Sequence, residues 1–162
     1  MLFLIGASTI SNSQNGDELD LRNGFKDIKL LSEVSTYSGL VFSKDDKEKP
    51  FHATYKTKNG AYDYIGEVEI KKLTVYTYKN QIYQIDVIAE KNEKLFRSLE
   101  KAYGKIKYSM GSQVSYWEGK KVRLNYESES SKKIKLTYLS KDISKIIALD
   151  KKKAVDSLAT EF

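Results

Sequence analysis

The chain has 162 residues, of which 40% are hydrophobic and 12% aromatic, with one proline and no cysteine. This length and composition indicate one folded domain rather than a disordered or collagen-like chain. The lack of cysteine excludes disulfides, thiolate metal sites and cysteine nucleophiles. A single histidine, His52, excludes a zinc site built from several histidines. The sequence therefore predicts neither a metal site nor a cofactor.

Charge is distributed unevenly along the chain. Residues 1–90 carry 11 Lys or Arg and 13 Asp or Glu, whereas residues 91–162 carry 17 and 9. The formal net charge of +6 therefore comes from the C-terminal half. A basic half attracts anionic partners over about a Debye length, although charge of this size also serves solubility.

The first residues have the composition of a targeting segment. Met1–Ile10 is apolar, and the Ser-Asn-Ser sequence after it has the small-residue pattern of a cleavage site before Gln14. No basic residue precedes Arg22, so we interpret residues 1–13 as the remnant of a truncated signal peptide, with a short strand or a tail as the alternative. Residues 14–162 are then expected to form a single exported domain, periplasmic or secreted, with the cytoplasm as the alternative. No stretch approaches the roughly 18 apolar residues of a membrane span.

The first half of the chain predicts strands separated by polar loops. Gly24–Leu31 has a mixed periodicity that fits either a strand or the start of a helix. The charged run Ser43–Pro50 predicts a surface loop. Phe51–Thr57 then alternates as a strand does, with His52 on its polar face.

A hairpin is the clearest prediction in this half. Val68–Tyr78 is rich in β-branched and aromatic residues, and its apolar positions change parity across residues 71–72, which predicts a bulge. Asn80 tolerates a left-handed backbone, so the Lys79-Asn80 sequence favours a tight turn. After it, apolar and polar residues alternate again along Tyr83–Ala89.

Two helices are predicted in the second half. Asn92 is a suitable N-cap for a helix that Gly104 would end. The apolar face of this helix carries Leu95, Phe96, Leu99, Ala102 and Tyr103. Beyond Ser140, a suitable second N-cap, the apolar spacing fits one long or two short helices.

A second hairpin precedes the last helix. After a turn at Trp117–Lys120, the segments Val122–Tyr126 and Ile134–Tyr138 alternate in the same way across a loop at residues 127–131. The chain thus contains two meanders, each followed by a helix. This order predicts an α+β fold, an antiparallel sheet of hairpins and meanders packed on one side by helices as a two-layer sandwich.

Several short motifs resemble those of exported bacterial proteins of unknown function. They are Gly24-Phe25-Lys26-Asp27-Ile28, the central hairpin, Tyr103-Gly104-Lys105, and Trp117 with its hairpin, so the resemblance spans most of residues 24–140. Such proteins are small α+β periplasmic or secreted domains. A looser likeness is to outer-membrane-assembly lipoproteins and β-lactamase inhibitors that pack helices against an antiparallel sheet. The resemblance implies an exported α+β domain and carries over no activity and no functional residue.

Two sets of side chains are candidates for binding. Strand alternation places four cations on one face of the second hairpin, where an anionic ligand would screen their repulsion; they are Lys121, Arg123, Lys133 and Lys135. Four aromatic residues are candidates for a ligand groove; they are Tyr76, Tyr78, Trp117 and Tyr126. The alternatives are a solvated basic face and an ordinary aromatic core.

The sequence contains no recognisable catalytic constellation. His52 lacks a motif partner such as the nucleophile elbow of hydrolases, so we predict no catalytic residue. Because Tyr126 and Tyr138 alternate to the face opposite the cations, base stacking beside them is disfavoured, and with it nucleic acid as a partner. We expect a non-enzymatic exported binding or accessory domain whose partner is another envelope protein or an anionic ligand. The alternatives are a small hydrolase or transferase whose carboxylates converge only in the fold, and a small-ligand or lipid carrier.

Overall fold

The structure is a computed structural model that describes residues 13–160. The predicted signal-peptide remnant lies outside these residues except for Ser13, where the first helix begins. The helices are α1 (Ser13–Arg22), α2 (Glu93–Tyr103) and α3 (Ile143–Ala159), with a short 3-10 helix at Val34–Thr36. The strands are β1 (Gly24–Phe25), β2 (Ile28–Lys29), β3 (Leu40–Asp45), β4 (His52–Thr57), β5 (Tyr64–Ile65), β6 (Val68–Tyr78), β7 (Gln81–Glu90), β8 (Lys107–Ser109), β9 (Val114–Glu118), β10 (Val122–Ser130) and β11 (Lys133–Ser140).

Antiparallel pairing organises the strands of the described residues. β1 and β2 form a small hairpin, and the other nine strands form one sheet in the order β3-β4-β6-β7-β11-β10-β9-β8, with β5 paired to β6. The segment Gly24–Leu31, which fitted either a strand or a helix, therefore forms a hairpin. An open antiparallel sheet packed with helices confirms the predicted α+β sandwich.

The sheet has two chemically different faces. Because side chains alternate along a strand, the cross-strand register places Leu73, Val87 and Leu136 in one row. This side, the inner face, carries the hydrophobic core together with α1 and α2. The opposite side, the outer face, carries a polar row of Thr74, Asp86, Thr137 and Asn125.

The predicted second helix is confirmed with both of its ends. The Asn92 side chain accepts a hydrogen bond from the Leu95 backbone nitrogen at 3.1 Å, which is the expected N-cap contact. Gly104 ends the helix with a φ of 84°, a left-handed value that favours glycine. The buried residues Leu95, Leu99 and Tyr103 lie at the spacing of one helical face.

The predicted central hairpin is also confirmed. Lys79 and Asn80 form its turn with φ values of 48° and 66°, the left-handed conformation of a type I′ turn. The register of β6 and β7 shifts between Ile70 and Lys72, which is the bulge that the change of parity predicted.

Two predicted loops are shorter than expected. β3 runs to Asp45, since Lys44 pairs with Thr54, so the prediction of a loop from Ser43 was wrong for its first three residues. β10 likewise runs to Ser130, so the loop predicted at residues 127–131 was wrong for most of its length. In both segments, cross-strand pairing overrides the low strand propensity of charged and serine residues.

A single helix, α3, follows the last strand. It begins at Ile143, three residues after the predicted cap at Ser140, whose hydroxyl instead accepts from the Asp142 nitrogen at 3.3 Å. The helix lies at one end of the outer face, where Tyr78 donates a hydrogen bond to Asp150 at 3.1 Å. Among the residues that the structure describes, no helix has both the length and the apolar character needed to cross a bilayer.

Candidate functional site

The loop between β3 and β4 folds over the outer face of the sheet. One carboxylate oxygen of Asp46 accepts from the backbone nitrogens of Glu48 and Lys49, at 3.0 and 3.2 Å. The Asp46 nitrogen donates to the His52 carbonyl at 2.9 Å, which closes the loop at its base. An aspartate that binds backbone N–H groups in this way stabilises a turn. Residues 46–51 consequently form a wall above the strands.

A cleft of about 690 Å³ lies on one side of this wall and opens to solvent. We call it the lysine cleft because Lys44, Lys56 and Lys72 line it from three different strands. Lys44 and Lys56 lie on the outer face opposite Thr54 and Thr74 respectively. The hydroxyl groups that line the same cleft belong to Ser43, Thr54, Thr74, Tyr76 and Tyr83.

The three lysines have no carboxylate within 4.0 Å among the described residues. Lys71, immediately before Lys72, contacts Glu90 at 3.1 Å. The neighbouring acidic group of Asp46 already binds the loop backbone. Lys47 and the acidic residues Asp45, Asp46 and Glu48 also line the cleft, on the side of the β3–β4 loop. On the side of the strands, the cleft offers three unpaired cations together with hydroxyl groups, a combination that suits an anion.

His52 stands at the centre of an aromatic cluster on the outer face. Its ring centroid lies 5.0 Å from that of Tyr78 and 5.6 Å from that of Tyr83. Its Nδ1 lies 3.0 Å from the Pro50 carbonyl oxygen. Because a carbonyl oxygen only accepts, Nδ1 carries the proton in this contact. The sequence placed His52 on the polar face of its strand, and the register confirms that face.

Two tyrosines of the lysine cleft remain neutral over the physiological pH range. Burial raises the pKa of Tyr76, and a nearby carboxylate, Asp86, raises it further. Burial also raises the pKa of Tyr83. Both phenols therefore keep their protons; the Tyr76 hydroxyl is engaged by the Asp86 carboxylate, which leaves Tyr83 as the phenol that can donate to an anion.

A second cleft, of about 710 Å³, lies on the other side of the wall, between the wall and α3. We call it the apolar cleft because its carbon-rich lining comes from Pro50, Phe51, Tyr78, Ile147 and Ala154. Lys79 and Asp150 also lie in this lining and pair with each other at 2.6 Å. Glu48, His52 and Tyr83 border both clefts.

The predicted basic residues share the outer face but lie at opposite ends of the second hairpin. Arg123 pairs with Leu139, four residues along β11 from Lys135, which corresponds to about 13 Å along the strand. Arg123 also stacks 3.9 Å from the Tyr116 ring centroid, and Lys135 lies 3.7 Å from Glu127. Lys121 lies with Arg123 at one end, and Lys133 lies with Lys135 at the other.

The predicted aromatic set divides between the two faces. Tyr76 and Tyr78 lie on the outer face and border the two clefts. Trp117 and Tyr126 lie on the inner face, where their rings make an edge contact at 6.2 Å. Trp117 is 2% exposed and donates a hydrogen bond to the Gly104 carbonyl at 2.7 Å. The inner pair belongs to the core, whereas on the outer face Tyr76 is partly exposed and Tyr78 is 5% exposed.

No local pattern in the sequence predicts the lysine cleft. Lys56 was visible on the polar side of the β4 alternation, but Lys44 was assigned to a loop and Lys72 to a bulge. These residues come together only through the pairing of β3, β4 and β6. Among residues 13–160, no group of three or more Asp, Glu or His side chains is placed to hold a metal ion.

Comparison with protein-family models, with curated proteins and with solved structures finds no match to this chain. The function is therefore argued from the geometry of the outer face.

Proposed function

We propose that this protein is a non-enzymatic binding module, exported as its sequence predicts, that takes an anionic ligand in the lysine cleft. The observation that carries the proposal is the convergence of Lys44, Lys56 and Lys72 without carboxylate partners around a cleft rich in hydroxyl groups. The expectation of an anionic partner is retained, but its site moves from the second hairpin to the other half of the sheet.

Three neighbouring cations repel one another, and an anion between them relieves that repulsion. Hydrogen bonds between lysine ammonium groups and phosphate, sulfate or carboxylate oxygens are also shorter and stronger than neutral ones. The hydroxyl groups of Thr54, Thr74 and Tyr83 add neutral donors that can orient the ligand without adding charge. The cleft therefore supplies both attraction and geometry.

Binding is favoured over catalysis by the state of the histidine. Nucleophilic catalysis by His52 would need a hydroxyl hydrogen-bonded to its basic Nε2, whereas among the described residues its side chain makes one hydrogen bond, through Nδ1 to the Pro50 carbonyl. The lysine and hydroxyl groups of the lysine cleft can bind an anion through charge and hydrogen bonds. Their arrangement therefore supports binding.

The test is a charge-matched comparison of two triple variants. Lys44→Gln/Lys56→Gln/Lys72→Gln removes the three charges of the cleft, and all three side chains belong to exposed residues, so the fold should persist. The control is Lys121→Gln/Lys132→Gln/Lys133→Gln, which removes the same charge from exposed positions of the second hairpin. Binding of inorganic phosphate is measured by isothermal titration calorimetry at low salt.

We expect the cleft variant to lose on the order of tenfold or more in affinity, because charge-assisted hydrogen bonds contribute about 1.5–3 kcal/mol when fully formed. The control should stay within about twofold of the unmodified protein. Equal losses in both variants would assign binding to net charge alone. A loss confined to the control would assign the site to the second hairpin and refute the proposal.

A further inference from the structure

We propose that the ligand is an amphiphilic anion whose anionic group is held in the lysine cleft and whose apolar chain lies in the apolar cleft. This inference rests on the proposed function and deepens it by naming the class of ligand. It uses the second cleft of the outer face, which a purely ionic ligand would leave empty.

The two clefts are neighbours rather than separate sites. Glu48, His52 and Tyr83 border both of them, and the wall formed by residues 46–51 stands between them. A ligand that passes His52 and Tyr83 therefore moves directly from a cationic environment to an apolar one. Each cleft is within the size range of small-molecule sites, about 300–1,000 Å³.

Two charged groups at the edge of the apolar cleft, Asp150 and Lys79, pair with each other, while Glu48, Lys49 and Lys151 also lie in the lining. Asp150 accepts hydrogen bonds from Lys79 at 2.6 Å and from Tyr78 at 3.1 Å. A hydrophilic ligand group would have to compete with these contacts, whereas an alkyl chain would leave them intact. The lining that is left for a ligand consists mainly of the carbon surfaces of Phe51, Ile147 and Ala154.

Phe51 presents an exposed aromatic ring at the edge of the apolar cleft. Its side chain is 69% exposed, and its backbone has a left-handed φ of 66°. That conformation is an outlier for a bulky residue, and glycine or asparagine would adopt it more easily. The ring meets Tyr78 edge-on with centroids 6.4 Å apart, so it extends the wall of the apolar cleft. The ring also lies 5.5 Å from Nζ of Lys79, and its exposed surface beside the cleft is available for contact with a ligand.

The test compares probes that differ only in one part of the proposed ligand. Inorganic phosphate, octyl phosphate, decyl phosphate and the neutral decyl maltoside are titrated calorimetrically, each below its micelle concentration. Two added methylenes in a buried chain should tighten binding on the order of tenfold. Decyl phosphate should therefore bind more tightly than octyl phosphate, and octyl phosphate more tightly than inorganic phosphate. The neutral amphiphile should bind more weakly than decyl phosphate.

Two variants locate the alkyl chain. Phe51→Asn removes the ring while suiting the left-handed backbone, and Ala154→Trp fills the cleft from an exposed helix position. Both should reduce the difference between decyl and octyl phosphate to less than about threefold, while leaving the affinity for inorganic phosphate unchanged. The triple lysine variant should weaken all three phosphates.

The outcomes separate this inference from the proposed function. If all three phosphates bind equally and each depends on the lysines, the binding module stands and the amphiphile is refuted. If chain length matters equally in the unmodified protein and in both variants, the chain lies elsewhere and the inference is again overturned. If the lysine variant binds every phosphate as tightly as the unmodified protein, the proposed function itself fails.

Discussion

Replacing Asp20 by alanine should destabilise the protein by about 2–4 kcal/mol. Asp20 lies on α1, and its carboxylate accepts backbone hydrogen bonds from Lys120 at 2.6 Å and from Lys121 and Val122 at 2.9 Å each. Hydrogen bonds to a charged group contribute about 1.5–3 kcal/mol each. Water can reach the turn and replace part of this, which lowers the expected sum to about 2–4 kcal/mol.

Urea denaturation followed by circular dichroism measures this loss. The midpoint should fall while the slope stays constant, and thermal unfolding should shift down by roughly 6–12 °C for a chain of this size. Asp17→Ala, on an exposed position of the same helix, is the matched control and should change stability by less than about 0.5 kcal/mol. A similarly small effect of Asp20→Ala would refute the assignment of the carboxylate as the link between α1 and the β9–β10 turn.

Gly119 offers an independent check on the same link. A Cβ atom at Gly119 would overlap the Asp20 carboxylate, so Gly119→Ala should displace the carboxylate and destabilise the protein by a similar amount. The two substitutions act on one set of hydrogen bonds, so their effects should not add. Full additivity in the double variant would contradict the shared mechanism.

Two pH effects follow from shifted ionisation constants. Lys79 lowers the pKa of Asp150, so the docking of α3 should be fully stabilised above about pH 4 and should weaken as the pH falls through the lowered pKa. Hydrogen-exchange protection of α3 should fall over that range, and Asp150→Asn should show low protection already at neutral pH; equal protection in both proteins would contradict this. Burial and the hydrogen bond to Asp27 raise the pKa of Tyr62 to about 12, so stability should be present below about pH 10 and decline as the pH rises through the raised value. Denaturation measured across this range should show a smaller decline in Tyr62→Phe than in the unmodified protein, and identical slopes would rule out a contribution from this phenol.

Local signals explain which elements the sequence could predict. Asn92 begins α2 through a side-chain capping hydrogen bond, and Gly104 ends it through a left-handed backbone conformation. Both effects depend on the type of a single residue and are therefore visible in the sequence. The turn at Lys79-Asn80 and the bulge beside it are likewise visible in a few neighbouring residues. The length of β10 was missed because its last residues are held by pairing with β11 rather than by their own propensity.

The candidate site was missed for a related reason. Alternation within one strand shows which of its residues share a face. It does not show which strands are neighbours in the sheet, or which of their residues lie on that same face. Tyr78 and Trp117 were therefore grouped, although they lie on opposite faces of the sheet. Lys44, Lys56 and Lys72 were not grouped, although pairing brings their three strands together.

The order of the strands also affects how the molecule folds. In the described sheet, the pairing of β7 with β11 is the seam between two halves, and α2 and three strands separate these partners along the chain. Most other pairings join strands that follow closely in sequence and can form early. Pairing β7 with β11 closes a long loop, and the loss of conformational entropy precedes the favourable contacts between the two strands. We therefore expect the two hairpin systems to form first and the joining of β7 to β11 to set the folding rate.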